Sequence, residues 1–340
     1  MLRLHANRAY AGAPLAPSPS SLDTEPTRAP WKTTGLSQRP PLGAPPGRRV
    51  DLWPSPVHDS SVQRIARRIC SLFSELEALR SLEPSPQVNA LFGELVALTA
   101  GSSRGESSSI LAQPGVRAIL PRLRALCASG EGLLEHHWFE KIVKDAEPTE
   151  ALKAFPYYDN YEDLTRMEVS AIQAVSKEEE RPKRILFIGS GSLPLTSIFL
   201  ARDYGFRVDN LDIDARAANE GAALAQKLGL TDAQIQFAHS DALSLSPEIL
   251  ASYDTFYVAA LAGIDPREKA RIFNHLAEHA RPGARVIARS AFRLRTLLYP
   301  EIQPEQLEGF APQLLVHPLN DVVNSVVVAQ KPDAGTAVSR

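Results

Sequence analysis

A short apolar run, Ile185-Leu186-Phe187-Ile188, passes straight into Gly189-Ser190-Gly191-Ser192-Leu193-Pro194-Leu195-Thr196. An apolar run of that length, closed by glycines, predicts a strand buried on both faces, a tight turn and a helix start. That combination commits this part of the chain to an α/β sheet with a nucleotide-binding edge. The next letters separate one cofactor from another. A dinucleotide fingerprint needs a third glycine three positions after the second, for close helix–strand packing. Here that position is Pro194, which suits a first helical turn because its missing N–H has no intrahelical partner there. The pattern therefore argues against a nicotinamide dinucleotide. Downstream, Val208-Asp209-Asn210-Leu211-Asp212-Ile213-Asp214 ends the next strand in carboxylates, Asp212 lying 21 residues beyond Gly191, and His239-Ser240-Asp241-Ala242 puts another acid after the third strand. An acid after strand two suits ribose hydroxyls, and one after strand three suits an adenine amine. Asp214 also reads as the N-cap of the helix that follows it. The cofactor contacts expected are Gly189, Ser190, Gly191, Leu193, Pro194, Asp212, Ile213, Asp214, Asp241 and Ala242. Together they describe an adenosine site with no pyrophosphate to cradle, which S-adenosylmethionine fits.

The remainder of the chain frames that site. At 340 residues, 44% hydrophobic and a formal net charge of −2, it is long enough for two domains, and its charge balance calls for neither nucleic acid nor a membrane surface. No apolar run approaches the ~18–20 residues of a spanning helix. Cys70 and Cys127 both sit in helical apolar patterns, which fits free thiols and a cytoplasmic location. Residues 1–56 hold 11 of the 27 prolines and read as a disordered tail, whose prolines spoil the amphipathic helix of a transit peptide. Residues 57–180 read as an all-helical domain. One helix carries Val62, Ile65, Ile69, Leu72, Phe73, Leu76 and Leu79; a second follows Pro86; residues 101–109 form a loop; a third helical region, 115–144, is interrupted by Pro121, Gly130 and Gly132. Residues 181–331 read as an α/β Rossmann-like S-adenosylmethionine-binding domain, with strands at 184–189, 207–212, 235–239, 253–259 and 284–290. Helices are expected at 193–204, 215–228 and 266–281, and a closing antiparallel hairpin at 310–317 and 323–330. Residues 332–340 are expected as a tail.

The fourth strand ends Val258-Ala259-Ala260-Leu261-Ala262-Gly263, with no polar group to hold a planar exocyclic amine, so methylation of such amines loses support. The sulfonium activates three carbons, and the methyl is only one. Attack at the methionine-side carbon next to sulfur transfers a 3-amino-3-carboxypropyl group and releases methylthioadenosine. Adjacent residues cannot share a helix face, so His136 and His137 make no paired metal ligand, and no metal is called for.

With the segment Phe155-Pro156-Tyr157-Tyr158-Asp159-Asn160-Tyr161, continued by Leu164 and Glu168, the chain resembles the nicotianamine synthases. The likeness extends to the 187–196 loop, Asp212-Ile213-Asp214, Ala259-Ala260-Leu261 before Gly263, Arg289-Ser290-Ala291, Leu298-Tyr299-Pro300, His317-Pro318 and Asn324-Ser325-Val326-Val327, and so covers about residues 60–331. The resemblance implies a helical domain over a Rossmann-like domain. It also implies condensation of three S-adenosylmethionine molecules into the metal chelator nicotianamine, through aminopropyl transfers and closure of an azetidine ring. It places the family's catalytic glutamate best at Glu135, in Glu131-Gly132-Leu133-Leu134-Glu135-His136, with Tyr161 across the site. The chemistry agrees: a protonated α-amine cannot attack, so a buried carboxylate is needed as general base. Substrate contacts are expected from Tyr157, Tyr158, Glu168, Arg289 and His317, with Arg289 neutralising a carboxylate. Transfer of one aminopropyl unit to another amino acid such as histidine, a methyltransferase, and a non-catalytic nucleotide-binding module remain the alternatives at this point.

Overall fold

The apolar runs between residues 184 and 330 are too short for helices and are separated by amphipathic stretches, so they pair into one sheet whose faces the intervening helices cover. The computed structural model describes residues 56–100, 103–177 and 181–333. The tails expected at 1–56 and 332–340 lie outside these residues, apart from Pro56, Pro332 and Asp333. The strands are β1 Arg184–Ile188, β2 Arg207–Asp212, β3 Ile235–His239, β4 Thr255–Val258, β5 Arg285–Ser290, β6 Ala311–Val316 and β7 Ser325–Gln330. Their order is β3-β2-β1-β4-β5-β7-β6. Pairs among β1 to β5 are parallel, while β7 runs antiparallel between β5 and β6. The final hairpin therefore adds its second strand to the sheet, and its first becomes the edge.

Among the described residues, six helices precede the sheet: α1 Pro56–Glu77, α2 Pro86–Ala100, α3 Arg104–Leu111, α4 Pro114–Lys144, α5 Pro148–Lys153 and α6 Tyr158–Val175. Two differ from the sequence reading. Residues 104–109, expected in a loop, are helical. Ser103 caps the Glu106 N–H, and the hydroxyls of Ser107, Ser108 and Ser109 each bond the carbonyl four residues back, so the serines satisfy themselves within a helix that Ile110 anchors in the core. The third helical region is a single helix, α4, uninterrupted at Pro121 or at the glycines. An internal proline costs ~3 kcal/mol, and burial of Val116, Leu123, Cys127, Trp138 and Ile142 along α4 opposes it. Gly130 is there for close approach: a Cβ would lie 2.6 Å from the Phe92 ring of α2. The tyrosine-rich segment runs into α6, with Tyr157 at its N-cap.

Between strands lie α7 Leu195–Arg202, α8 Ala215–Lys227, α9 Pro247–Ala251 and α10 Pro266–His279. Helix α7 starts two residues later than expected, with Pro194 at its N-cap, which lengthens the glycine loop. One core cluster joins the sheet to α4, α6 and α7 through Trp138, Leu164, Ile172, Phe187, Ile198 and Ile287. A second lies on the opposite face under α9 and α10. A third fills α1 to α4 and takes in Leu294, Leu297 and Leu298 from the turn after β5. The chain leaves β3 to cross to the far side of β1 and enter β4, so the strand order reverses at the carboxyl ends of β1 and β4. A crevice opens at such a switch point. No helix among the described residues is long and apolar enough to cross a membrane.

Candidate active site

A cavity of about 310 Å³ sits at that switch point, between the loops after β1, β2, β3 and β4 and one face of α4. Its first wall is the β1 loop. Gly189 and Gly191 both take positive φ, 81° and 72°, and Asp212 holds the turn: its Oδ2 accepts the Gly191 N–H at 2.8 Å and its Oδ1 the Asp214 N–H at 2.9 Å. Each carboxylate oxygen keeps a lone pair for a ribose hydroxyl. Ile213 is 72% exposed yet lines the cavity, an apolar face set where an adenine ring needs one. Asp241 caps the turn at Ala242–Ser244 through the Leu243 N–H, 2.9 Å, and both Asp241 and Ala242 line the same end. Asp214 caps α8 through the Arg216 N–H at 2.8 Å. All ten expected cofactor residues line the cavity.

The loop after β4 completes the floor. Lys269 of α10, 1% exposed, donates from Nζ to Ala259 O at 2.9 Å and Ala260 O at 3.0 Å. Burial alone lowers its pKa to about 7.

The opposite wall is acidic. Glu131 and Glu135 stand one turn apart on α4 and both face the cavity. Glu135 Oε2 accepts the Ser192 N–H at 3.1 Å, and the Leu193 N–H also bonds this carboxylate. A Cβ at position 191 would meet Glu135 Oε2 at 2.3 Å, so the second glycine makes room for the acid as well as for the turn. Glu131 Oε2 accepts the Tyr299 hydroxyl at 2.7 Å, and the Tyr161 hydroxyl bonds the same carboxylate. Burial, then the charge of Glu131, pushes Glu135 well above the usual carboxylate range, against the two backbone N–H donors. Burial likewise raises Glu131, opposed by Tyr299, by the charge of Arg289 and by Tyr161. Both phenols are driven upward, first by burial and next by Glu131, so they stay protonated donors. Two carboxyls and two phenols in one pocket can pass a proton among themselves and present a base to an amine.

The remaining expected residues fall in different places. Arg289 lines the cavity, but its Nε and Nη2 bond Glu168 Oε1 at 2.8 Å and Oε2 at 3.2 Å, and Nη2 also bonds Thr196 Oγ1. Its guanidinium lies over the Tyr161 ring, 5.8 Å from the centroid, and so braces that phenol. Glu168 is fully buried in this ion pair and lies outside the cavity lining. Tyr157 packs edge-on against Phe155 and Tyr158 against Phe199, both outside the lining. His317 also lies outside it, stacked on Phe292 at 3.9 Å with Nδ1 2.9 Å from Ser325 Oγ, and burial lowers its pKa. Glu131, Tyr299 and Asn324 are among the lining residues that escaped the sequence reading as site residues. The four-residue step from Glu131 to Glu135 on a helix was the available signal for the first.

A family model described as "Nicotianamine synthase protein" matches residues 58–336. The chain is 35% identical over 281 residues to nicotianamine synthase 3 of Oryza sativa subsp. indica, covering 82% of this chain and 81% of that one. It is 35% identical over 272 residues to nicotianamine synthase 1 of Arabidopsis thaliana, covering 78% and 84%. Among solved structures, it is similar to a glutamate-to-glutamine mutant of MtNAS in complex with S-adenosylmethionine, at 25% identity and a TM-score of 0.67, covering 78% of this chain and 98% of that one.

Proposed function

The chain belongs to the nicotianamine synthase family, and on that premise we propose that Glu135 is its general base, with Tyr161 and Glu131 carrying the proton beside it. The reaction is the condensation of three S-adenosylmethionine molecules into nicotianamine. In each transfer an α-amine attacks the methionine-side carbon next to the sulfonium, an N–C bond forms, the C–S bond breaks, and its electron pair leaves with methylthioadenosine. The amine proton passes to Glu135. Two such transfers build the chain and a third, intramolecular attack closes the azetidine ring.

The observation that supports this best is that one cavity joins an adenosine-suited loop to a pair of carboxyls with raised proton affinity. A carboxyl of ordinary acidity is a poor match for an amine proton, and raising it brings donor and acceptor closer. Because Glu135 also bonds the Ser192 N–H, the base is tied to the loop that would hold the methionine part of the substrate, which fixes nitrogen, carbon and sulfur in line. Tyr161 orients the amine, and the Glu168–Arg289 pair braces Tyr161. Residues 57–180 are proposed as the substrate-covering domain and 181–331 as the S-adenosylmethionine-binding domain. The cytoplasm is the proposed compartment, on the free thiols Cys70 and Cys127.

The test is to give purified protein S-adenosylmethionine alone and identify the products by mass spectrometry. Methylthioadenosine and a species of nicotianamine mass are expected. S-adenosylhomocysteine would mean methyl transfer, and turnover only after another amino acid is added would mean a single aminopropyl transfer.

A further inference from the structure

Among the described residues, two buried side-chain atoms of the cavity lining have no hydrogen-bond partner: Ser190 Oγ, in the loop after β1, and Asn324 Nδ2. Asn324 stands immediately before β7, is 8% exposed and lines the cavity, and its Nδ2 meets no hydrogen-bond partner among the described residues. A buried amide N–H without a partner is costly, and such groups in a folded protein call for an explanation. The neighbouring strand supplies the context: β5 pairs with β7 so that Ser290 faces Ser325 and Arg289 faces Val326, which sets Asn324 and Arg289 at the same end of the sheet and on the same cavity.

We propose that Asn324 determines specificity by donating its Nδ2 hydrogen to a carboxylate of the amino-acid acceptor whose amine faces Glu135. This rests on the reaction assigned above. An aminopropyl chain offers three kinds of polar group: the sulfonium makes no hydrogen bond, an ammonium only donates, and the carboxylate accepts. An amide N–H in that position therefore selects the carboxylate. Arg289 is poorly placed to do this alone, because its charge is matched by the buried Glu168 and its Nε and Nη2 are engaged. A neutral donor completes the subsite without bringing a counter-ion of its own. The cavity then accepts α-amino acids and discriminates against amines lacking the carboxylate, since these leave the buried donor unpaired.

The experiment uses the full chain with Asn324→Leu, which keeps the branched shape and removes the donor, and Asn324→Asp, which sets a carboxylate against the substrate's own. Nicotianamine is the titrant for binding, and S-adenosylmethionine is both a second titrant and the substrate for methylthioadenosine release. Loss of a hydrogen bond to a charged group predicts nicotianamine affinity about 10- to 100-fold lower for the Leu variant, and lower again for the Asp variant. Affinity for the donor S-adenosylmethionine, whose adenosine is held by the loops after β1 to β3, and melting temperature should change little in either. Asp affinity at or above wild type would show that the side chain presents its oxygen to an ammonium, and would overturn the proposal. So would equal loss of nicotianamine binding, S-adenosylmethionine binding and melting temperature in both variants, the signature of a structural post at the start of β7, or failure of the wild type to bind nicotianamine. Methylthioadenosine release by the wild type judges the reaction separately: a wild type that binds nicotianamine as expected but releases none sinks the reaction and leaves the subsite standing.

Discussion

The two ends of the cavity use the same functional group in opposite surroundings. At the loop end, the carboxylates of Asp212, Asp214 and Asp241 accept backbone N–H donors, and each shapes a turn or caps a helix. At the α4 end, Glu131 and Glu135 are half-buried one turn apart, and loss of solvent pushes both upward, the charge of Glu131 adding to the effect at Glu135. Fixed backbone donors favour charge and suit recognition of hydroxyls and amines. Burial beside a like charge favours the proton and suits acid–base work. The same carboxyl group is thus held towards the charged form at one end and towards the protonated form at the other by what surrounds it.

That contrast is broken most directly at Glu135. Glutamine keeps the size and the acceptor for the Ser192 N–H but cannot take a proton, so turnover of Glu135→Gln should fall by ~10²–10⁴ while S-adenosylmethionine still binds. The defect should shrink as pH rises and the amine loses its proton unaided. Retention of a third of the wild-type rate at neutral pH would move the base to another group.

The loop end should respond in affinity. Asp212→Ala removes the acceptor for ribose hydroxyls and for the Gly191 N–H, and calorimetry should show roughly 10- to 100-fold weaker S-adenosylmethionine binding. If affinity is unchanged, Asp212 only braces the turn.

Lys269 supports the floor between the two ends. Lys269→Met should weaken S-adenosylmethionine binding by about fivefold, the scale of one net hydrogen bond. The sign of its pH effect is fixed by its lowered pKa. The folded protein holds a proton on Lys269 less readily than the unfolded chain, so stability is lost as pH falls from the ordinary 10.5 through about 7. Melting curves across that window should flatten in the methionine variant, and a parallel fall in both proteins would remove Lys269 as the cause.

The smallest effect expected is a gain. Glu131 is raised in the folded state, so its contribution to stability is present at acid pH and is lost as pH rises through the raised value. Glu131→Gln should then melt slightly higher than wild type at pH 8, with no gain at pH 4. A lower melting temperature at both pH values would mean that the bonds from Tyr299 and Tyr161 outweigh the burial.

Much of the binding end was legible because its signals are local. A glycine turn after an apolar strand, and acids ending the next two strands, lie within a few residues of the backbone groups they serve. The α4 end was legible only in part. Glu135 and Tyr161 were expected on family resemblance, and both line the cavity. Tyr157, Tyr158, Glu168 and His317 carry the same kind of local pattern and lie outside the lining, spent on packing or on the pair with Arg289. Helix α3 was missed because serines that read as loop formers bond back along a helix when a neighbour such as Ile110 has a core to enter.

The sequence by itself determined the sheet, the order of its strands along the chain and the cofactor loop, since alternation of apolar runs and turn chemistry are properties of neighbours in the chain. Only the tertiary structure decided which carboxyls are met by backbone donors and which are pushed towards the proton. Glu131 meets Tyr299 across 168 positions, Glu135 meets Ser192 across 57, and Arg289 meets Glu168 across 121. Proton affinity is set by burial and by charges a few ångströms away, and those distances exist only once α4 has been laid against the carboxyl edge of the sheet.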